Sequence, residues 1–133
     1  MLKGEYNVNN ERAFYKCNVC GNVVMMVVVG GGQLVCCGQP MEKLEGNTTD
    51  AAKEKHVPVI KREGNEVTVL VGDVPHPMTP EHYITNIAIA QGEKTQIQKL
   101  NPEDKPEATF IVEDGPLTAY EYCNLHGLWK KED

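Results

Sequence analysis

The chain is short of aromatic residues, of positive charge and of any long apolar run. Aromatics make up 6% of its 133 residues, with a single tryptophan, although a hydrophobic content of 41% still supports a packed core. Lysine and arginine number 13 against 19 acidic residues, a formal charge of −6. Nothing resembles a basic stripe, so nucleic acid is excluded as an expected partner. An acidic surface of this kind suits brief docking with a soluble partner. The longest apolar run, Val23 to Val29, is far shorter than the ~20 residues that span a bilayer. The opening residues, Met1-Leu2-Lys3-Gly4-Glu5-Tyr6-Asn7, lack the apolar core of a signal peptide. The expectation is a cytoplasmic protein without a membrane partner. Internal repeats and low-complexity segments are also missing.

The length fits one ordinary domain, or a small metal-stapled module joined to a domain of moderate size. Residues 1–12 are polar and Asn-rich and read as an extension. From Phe14 to Glu45 the pattern is a metal knuckle: Tyr15-Lys16-Cys17-Asn18-Val19-Cys20-Gly21-Asn22, an apolar strand over Val23–Val29, a Gly30-Gly31-Gly32 turn, then Leu34-Val35-Cys36-Cys37-Gly38. So short a stretch cannot bury a sufficient core, and a metal must supply much of its stability. Over 47–55, Thr48, Thr49 and Asp50 can cap a short helix that Pro58 ends. Beyond it the chain reads as strands at 67–71, 83–90, 95–100, 108–112 and 117–122, with alternation in the Val67, Ile84 and Ile97 segments. The expected fold is mainly β: a metal-binding module over 1–46, then an antiparallel β-sandwich over 47–133 carrying a site on its loops.

Scarcest of the chemically versatile residues are the five cysteines and four histidines, and all of them fall into two sets. The first is Cys17, Cys20, Cys36 and Cys37, spaced C-x2-C-x15-C-C. In a reducing compartment, thiols paired in this way are metal ligands rather than disulfides. Four thiolates make a closed tetrahedral pocket. The adjacent Cys36-Cys37 pair departs from the usual second C-x2-C and forces a distorted tetrahedron. Zinc tolerates that as well as iron does, so the spacing leaves both metals open.

The second set is His56, His76, His82, Cys123 and His126. Prolines on both sides of His76 limit its loop, and Cys123-x2-His126 can chelate one ion from a single turn. Four imidazoles and one thiolate are one ligand more than an ordinary structural zinc site uses and one short of an octahedron. On Fe(II) they leave a formal charge of about +1, and the thiolate pushes electron density towards whatever arrives at an open position, as in thiolate-ligated haem proteins.

These residues sit in long, specific strings: Y-K-C-N-V-C-G-N (15–22), L-V-C-C-G (34–38), D-A-A-K-E-K-H-V-P-V-I (50–60), H-P-M-x3-H-Y-I (76–84) and E-Y-C-N-L-H-G-L-W-K (121–130). From Tyr15 to Lys131 the chain resembles desulfoferrodoxin, the two-iron class of superoxide reductase. The resemblance implies a desulforedoxin-like module with iron at Cys17, Cys20, Cys36 and Cys37, followed by an immunoglobulin-like sandwich with the active iron. It implies that His56, His76, His82 and His126 form the equatorial plane of that iron and that Cys123 is axial. Glu54 and Lys55 would border the open position, Glu54 binding the oxidised resting state and Lys55 attracting superoxide and helping to place a proton-donating water. It also implies a homodimer and a rubredoxin-like electron donor. The segment before Phe14 is longer, and the Val23–Val29 run more apolar, than in that family pattern.

The activity to expect is therefore superoxide reduction, in which superoxide, one electron and two protons give hydrogen peroxide. Three rivals stand beside it. An iron electron carrier without substrate would not need five ligands and a flanking Lys55. A zinc-bound structural module is opposed by the His-rich five-donor set. A dismutase would use the same iron to oxidise superoxide too, against the one-directional bias of the thiolate and Glu54.

Overall fold

The computed structural model describes residues 10–48, 56–72 and 76–133. It divides into two compact units, Glu11–Glu45 and Gly46–Asp133, with Asn10 belonging to the second. All regular structure among the described residues is β, and every strand pairing is antiparallel.

In the smaller unit, β1 (Ala13–Lys16) is the central strand of a sheet, flanked by β2 (Val23–Met26) and β5 (Glu42–Lys43). A separate ribbon pairs β3 (Val35–Cys36) with β4 (Gln39–Pro40). Only Phe14 and Cys17 are buried in this unit, which is too little apolar burial to hold 35 residues by itself, Glu11 to Glu45 inclusive. The apolar strand expected over Val23–Val29 stops at Met26, because its partner β1 begins at Ala13, opposite Met26. Val27, Val28 and Val29 run on past the last pair and are 85%, 78% and 68% exposed.

The larger unit is a sandwich. One sheet has the order β10-β7-β6, from β10 (Glu107–Ile111), β7 (Glu66–Val71) and β6 (Pro58–Glu63). The other has the order β12-β11-β8-β9, from β12 (Gly127–Glu132), β11 (Thr118–Cys123), β8 (Ile84–Gln91) and β9 (Lys94–Lys99). This three-plus-four division is that of an immunoglobulin-like sandwich. Val67, Val69 and Val71 alternate inward on β7 and meet Ile87, Ile89, Phe110, Leu117 and Ala119 in one aliphatic core.

Two strands of the sandwich are not legible in the sequence, β6 and β12. β6 begins at a proline, which reads as a breaker, yet Pro58 opens an edge strand where a missing N–H is harmless. β12 is an edge strand of the other sheet and ends in Lys130-Lys131-Glu132, charges that suit an exposed edge. The Ile97 segment has the expected alternation, but its apolar side is exposed, Ile97 by 53%. The register decides this: Gln96 lies opposite Ile89, which faces the core, so Ile97 falls on the other face opposite Ala88. Most of the helix expected over 47–55 lies outside the described residues, and at its start Asn47 instead forms a bridge with Trp129.

Candidate metal centres

The four-cysteine set is assembled from two turns. Cys17 follows β1, and its backbone is closed into a loop by Cys17 N–H to Asn22 O and Gly21 N–H to Cys17 O, both 2.9 Å. Cys36 ends β3, and Cys37 occupies the turn into β4 with φ of +55°. That is a left-handed conformation unusual for a residue other than glycine, and it is how two adjacent residues face one point. The sulfurs of Cys20 and Cys36 are 3.7 Å apart, and those of Cys36 and Cys37 3.9 Å. A tetrahedron with metal–sulfur bonds of about 2.3 Å has edges of about 3.8 Å. The cysteines are all free thiols, so the spacing fits a thiolate-bound ion.

Electrostatics within this set also ask for a cation. The backbone N–H of Cys20 points at Cys17 Sγ (3.4 Å) and holds that thiol down at about 6. Its neighbours pay the cost of proximity: hydrogen bonding with Cys17 first raises the Cys36 thiol, and hydrogen bonding with Cys20 first pushes Cys37 up to about 12. One negative charge is readily formed among four close sulfurs, and further ones repel. A divalent ion removes that repulsion. Asn22 Nδ2 reaches Cys36 Sγ at 3.8 Å, an outer contact of the kind that tunes a bound metal.

The second set gathers residues from four places in the sandwich unit. His56 lies two residues before β6. His76 is oriented by a 2.7 Å hydrogen bond between its Nδ1 and Pro77 O, in which Nδ1–H donates and Nε2 keeps its lone pair. His82 closes the turn from Thr79 through paired backbone bonds of 3.0 and 3.1 Å. Cys123 ends β11 at a bulge, where Tyr122 pairs with Asn86 but Cys123 with Ile84. The extra residue is Thr85 on β8, and bulges of this kind are common beside functional sites. His126 stands in the turn to β12, which Gly127 completes at φ +85°. A side chain there would be strained.

The donor atoms of all five residues lie within 4.8 Å of one another. His56 Nε2 is 3.0 Å from His76 Nε2 and 3.2 Å from His126 Nδ1. Adjacent corners of an octahedron with bonds of about 2.1 Å are about 3.0 Å apart. The imidazoles form a closed cycle, 56 to 76 to 82 to 126 and back, with centroids 4.7, 4.7, 5.0 and 4.8 Å apart. Neighbouring rings meet edge to face, at 68°, 80°, 79° and 72°. His56 is therefore across from His82, and His76 across from His126. Cys123 Sγ lies 3.7 Å from His76 Nε2 and 3.8 Å from His126 Nδ1. A sulfur equally near two opposite corners favours neither of them, and with all five donor atoms within 4.8 Å of one another it is in reach of the same ion as the four imidazoles. Cys123 is fully buried in the aliphatic core while His126 is exposed, so the direction opposite the thiol points away from that core. The residues fit a metal ion of octahedral preference with one position left for a small molecule.

Glu54 and Lys55 lie outside the described residues. Two residues that sequence reasoning passed over hold the site from outside. Asn124 accepts from Tyr83 N–H (2.9 Å) and donates to Glu81 O (3.0 Å), tying the turn that bears Cys123 and His126 to the residues around His82. Trp129 stacks on His56, with centroids 4.8 Å apart and planes 16° from parallel. Both residues stand inside C-N-L-H-G-L-W, but neither is a usual metal donor, so ligand chemistry does not single them out.

Residues 48–132 match the family model described as desulfoferrodoxin, and residues 9–44 match that of the desulfoferrodoxin N-terminal domain. The chain is 53% identical over 118 residues to the desulfoferrodoxin of Syntrophotalea carbinolica, covering 89% of this chain and 94% of that protein. It is 54% identical over 116 residues to a desulfoferrodoxin homolog of Archaeoglobus fulgidus, covering 87% and 93%. Among solved structures, the superoxide reductase of Treponema pallidum superposes with a TM-score of 0.78 at 35% identity, over 92% of this chain and 99% of that one. Matched along nearly all its length by both family models and by these relatives, the chain belongs to the desulfoferrodoxin family.

Proposed function

We propose that the protein is a superoxide reductase with two non-haem irons, one held by Cys17, Cys20, Cys36 and Cys37, the other by His56, His76, His82, His126 and Cys123. The observation that carries the reading is the five-donor set, a closed cycle of four imidazoles with one thiolate equally near two opposite members. Iron bound there supplies a one-electron couple and an open position for superoxide.

The chain's own residues supply the rest. Neutral imidazoles and a single thiolate keep the bound ion cationic, which favours a −1 substrate over water. Coordination deprotonates a thiol, so the buried Cys123 would face the ion as a thiolate. The Nδ1–H of His76 to Pro77 O bond holds one ring with its lone pair directed inward. Lys55 would draw superoxide towards the iron and order the water that delivers a proton, and Glu54 would serve as a ligand to the oxidised ion. Residues 1–46 form the Fe(Cys)4 module and 47–133 the reductase domain. The working form is a cytoplasmic homodimer that takes electrons from a rubredoxin-like carrier.

Stoichiometry tests the activity. Pre-reduced protein exposed to a pulse of superoxide should form one hydrogen peroxide per superoxide consumed, and metal analysis should find two irons per chain. One peroxide for every two superoxides, with dioxygen released, would make it a dismutase. Zinc filling both sites in protein produced with iron available would remove the redox reading altogether.

A further inference from the structure

We infer that Trp129 is a positioning residue of the five-donor centre, holding His56 through its ring face and His126 through its indole N–H. The inference rests on the metal-site reading above and adds to it a residue that donates nothing to the metal.

The contacts are specific. The four imidazole pairs all meet edge to face, whereas Trp129 lies nearly parallel on His56. Its Nε1–H donates to the backbone oxygen of His126 at 3.1 Å, which braces the turn that presents the His126 ring. One side chain thus touches two neighbouring members of the square. His56 is the corner where their close contacts meet, since its Nε2 lies 3.0 Å from one ligand nitrogen and 3.2 Å from another. The χ2 torsion of a histidine is broad and roughly two-fold, so a ring plane needs an outside contact to hold it. His76 has its Nδ1 bond to Pro77 for this purpose, and His56 has the indole face.

Trp129 is itself held in place. Asn47 N–H and Nδ2 both donate to Leu128 O, at 2.9 and 3.1 Å, and Lys130 N–H donates to Asn47 O at 2.9 Å. Across the sheet, Trp129 is opposite Glu121 in β11, two residues before Cys123. Backbone bonds on either side of the tryptophan fix the strand that bears it, and the Nε1–H bond to His126 O fixes the indole on that strand. A clamped indole fixes the ring plane of His56, and that fixes where its lone pair points.

Loss of an outer contact of this sort commonly costs 10- to 100-fold in metal affinity. Trp129→Leu removes both the stack and the N–H, and Trp129→Phe removes only the N–H. In chelator competition, Trp129→Leu should lower Fe(II) affinity at the five-donor site by about 10-fold or more, and the oxidised band of that site should shift. Trp129→Phe should fall between it and wild type, and the spectrum of the four-cysteine site should be unchanged in both. Should Trp129→Leu fail to fold, wild-type fluorescence decides, because the chain has one tryptophan. Its emission should change in step with the band of the five-donor site as Fe(II) fills it. Emission that ignores that filling, or a folded Trp129→Leu with wild-type affinity and band, overturns the assignment even if the melting temperature has dropped. If wild type itself loads no metal at the five donors, the metal-site reading falls first and this inference with it.

Discussion

Glu54 and Lys55 adjoin in sequence but should act at different steps. A lysine beside the open position raises the encounter rate of an anion, and screening by salt weakens that attraction. Lys55→Ala should slow the second-order reaction with superoxide by about 10-fold, the lower end of steering effects. The wild-type rate should fall with ionic strength, and that of the variant should fall less. Glu54→Ala should leave the encounter rate near wild type and alter the spectrum of the oxidised centre. Stopped-flow or pulse-radiolysis traces at several salt concentrations separate the two, and an unaltered rate in Lys55→Ala at every salt concentration refutes the steering role. A second residue-scale expectation concerns Cys17, whose thiol is lowered from 9.0 to about 6 by the N–H of Cys20. A lowered acid stabilises the fold above its unfolded value, and that contribution is lost as pH falls through the folded one. In metal-free protein, thiolate absorbance should rise in a first step near pH 6 that Cys17→Ser removes, while Cys37 ionises only near 12. Metal held by the four cysteines competes with protons for the thiolates, so it should be released only on acidification below the range of that first step. Simultaneous titration of all the thiols near their ordinary value would contradict this.

At the scale of elements, the turn between β11 and β12 bears Cys123 at one end and His126 at the other, and Asn124 ties it to Glu81 and Tyr83. Asn124→Ala leaves the Tyr83 N–H and Glu81 O without their partner, and an unsatisfied polar group costs about 1–3 kcal/mol when shielded from water. In a unit of this size ~1 kcal/mol moves the melting temperature by about 4–8 °C. A loss on the order of 5–10 °C is expected, together with a shifted band at the five-donor centre and an unshifted one at the four-cysteine centre. Asn124→Asp keeps the oxygen that accepts from Tyr83 and should lose less. Calorimetry and spectra of both variants check this, and a wild-type band in Asn124→Ala would mean that the turn holds itself. The strands flanking this turn show where pattern reading stops. β7 was legible because its alternation is aliphatic and uninterrupted. β6 and β12 were not, because edge strands tolerate the proline and the charges that otherwise argue against a strand.

For the whole molecule, the two units depend on metal to different degrees. Residues 11–45 bury only Phe14 and Cys17, while the sandwich has a core of its own. Cys17→Ser should therefore abolish the first centre and loosen the fold of residues 11–45. The sandwich should keep its melting transition, and its pre-reduced iron should still consume superoxide rapidly. Cys123→Ser should do the reverse, leaving the first spectrum and abolishing reduction. Circular dichroism melts, visible spectra and superoxide kinetics on the pair test this. Loss of the rapid superoxide reaction in Cys17→Ser would mean that the units are not separable in function.

The sequence alone determined which atoms were available and how those close along the chain could act together. Cys17 with Cys20, Cys36 with Cys37, and Cys123 with His126 are each within reach by a single turn, so local geometry settles their pairing. Short strands and the Gly64-Asn65 turn were legible for the same reason. Only the tertiary structure decided what depends on distant segments meeting. His56 and His126 are 70 residues apart, and their nitrogens come within 3.2 Å because β6 and β12 lie at edges of the two packed sheets. The order of the imidazoles around the cycle, the bulge in β8 opposite Cys123 and the parallel indole on His56 follow from register and packing. Spacing along a chain measures contour length, whereas a coordination site is a set of directions, and directions are fixed only when the sheets have closed.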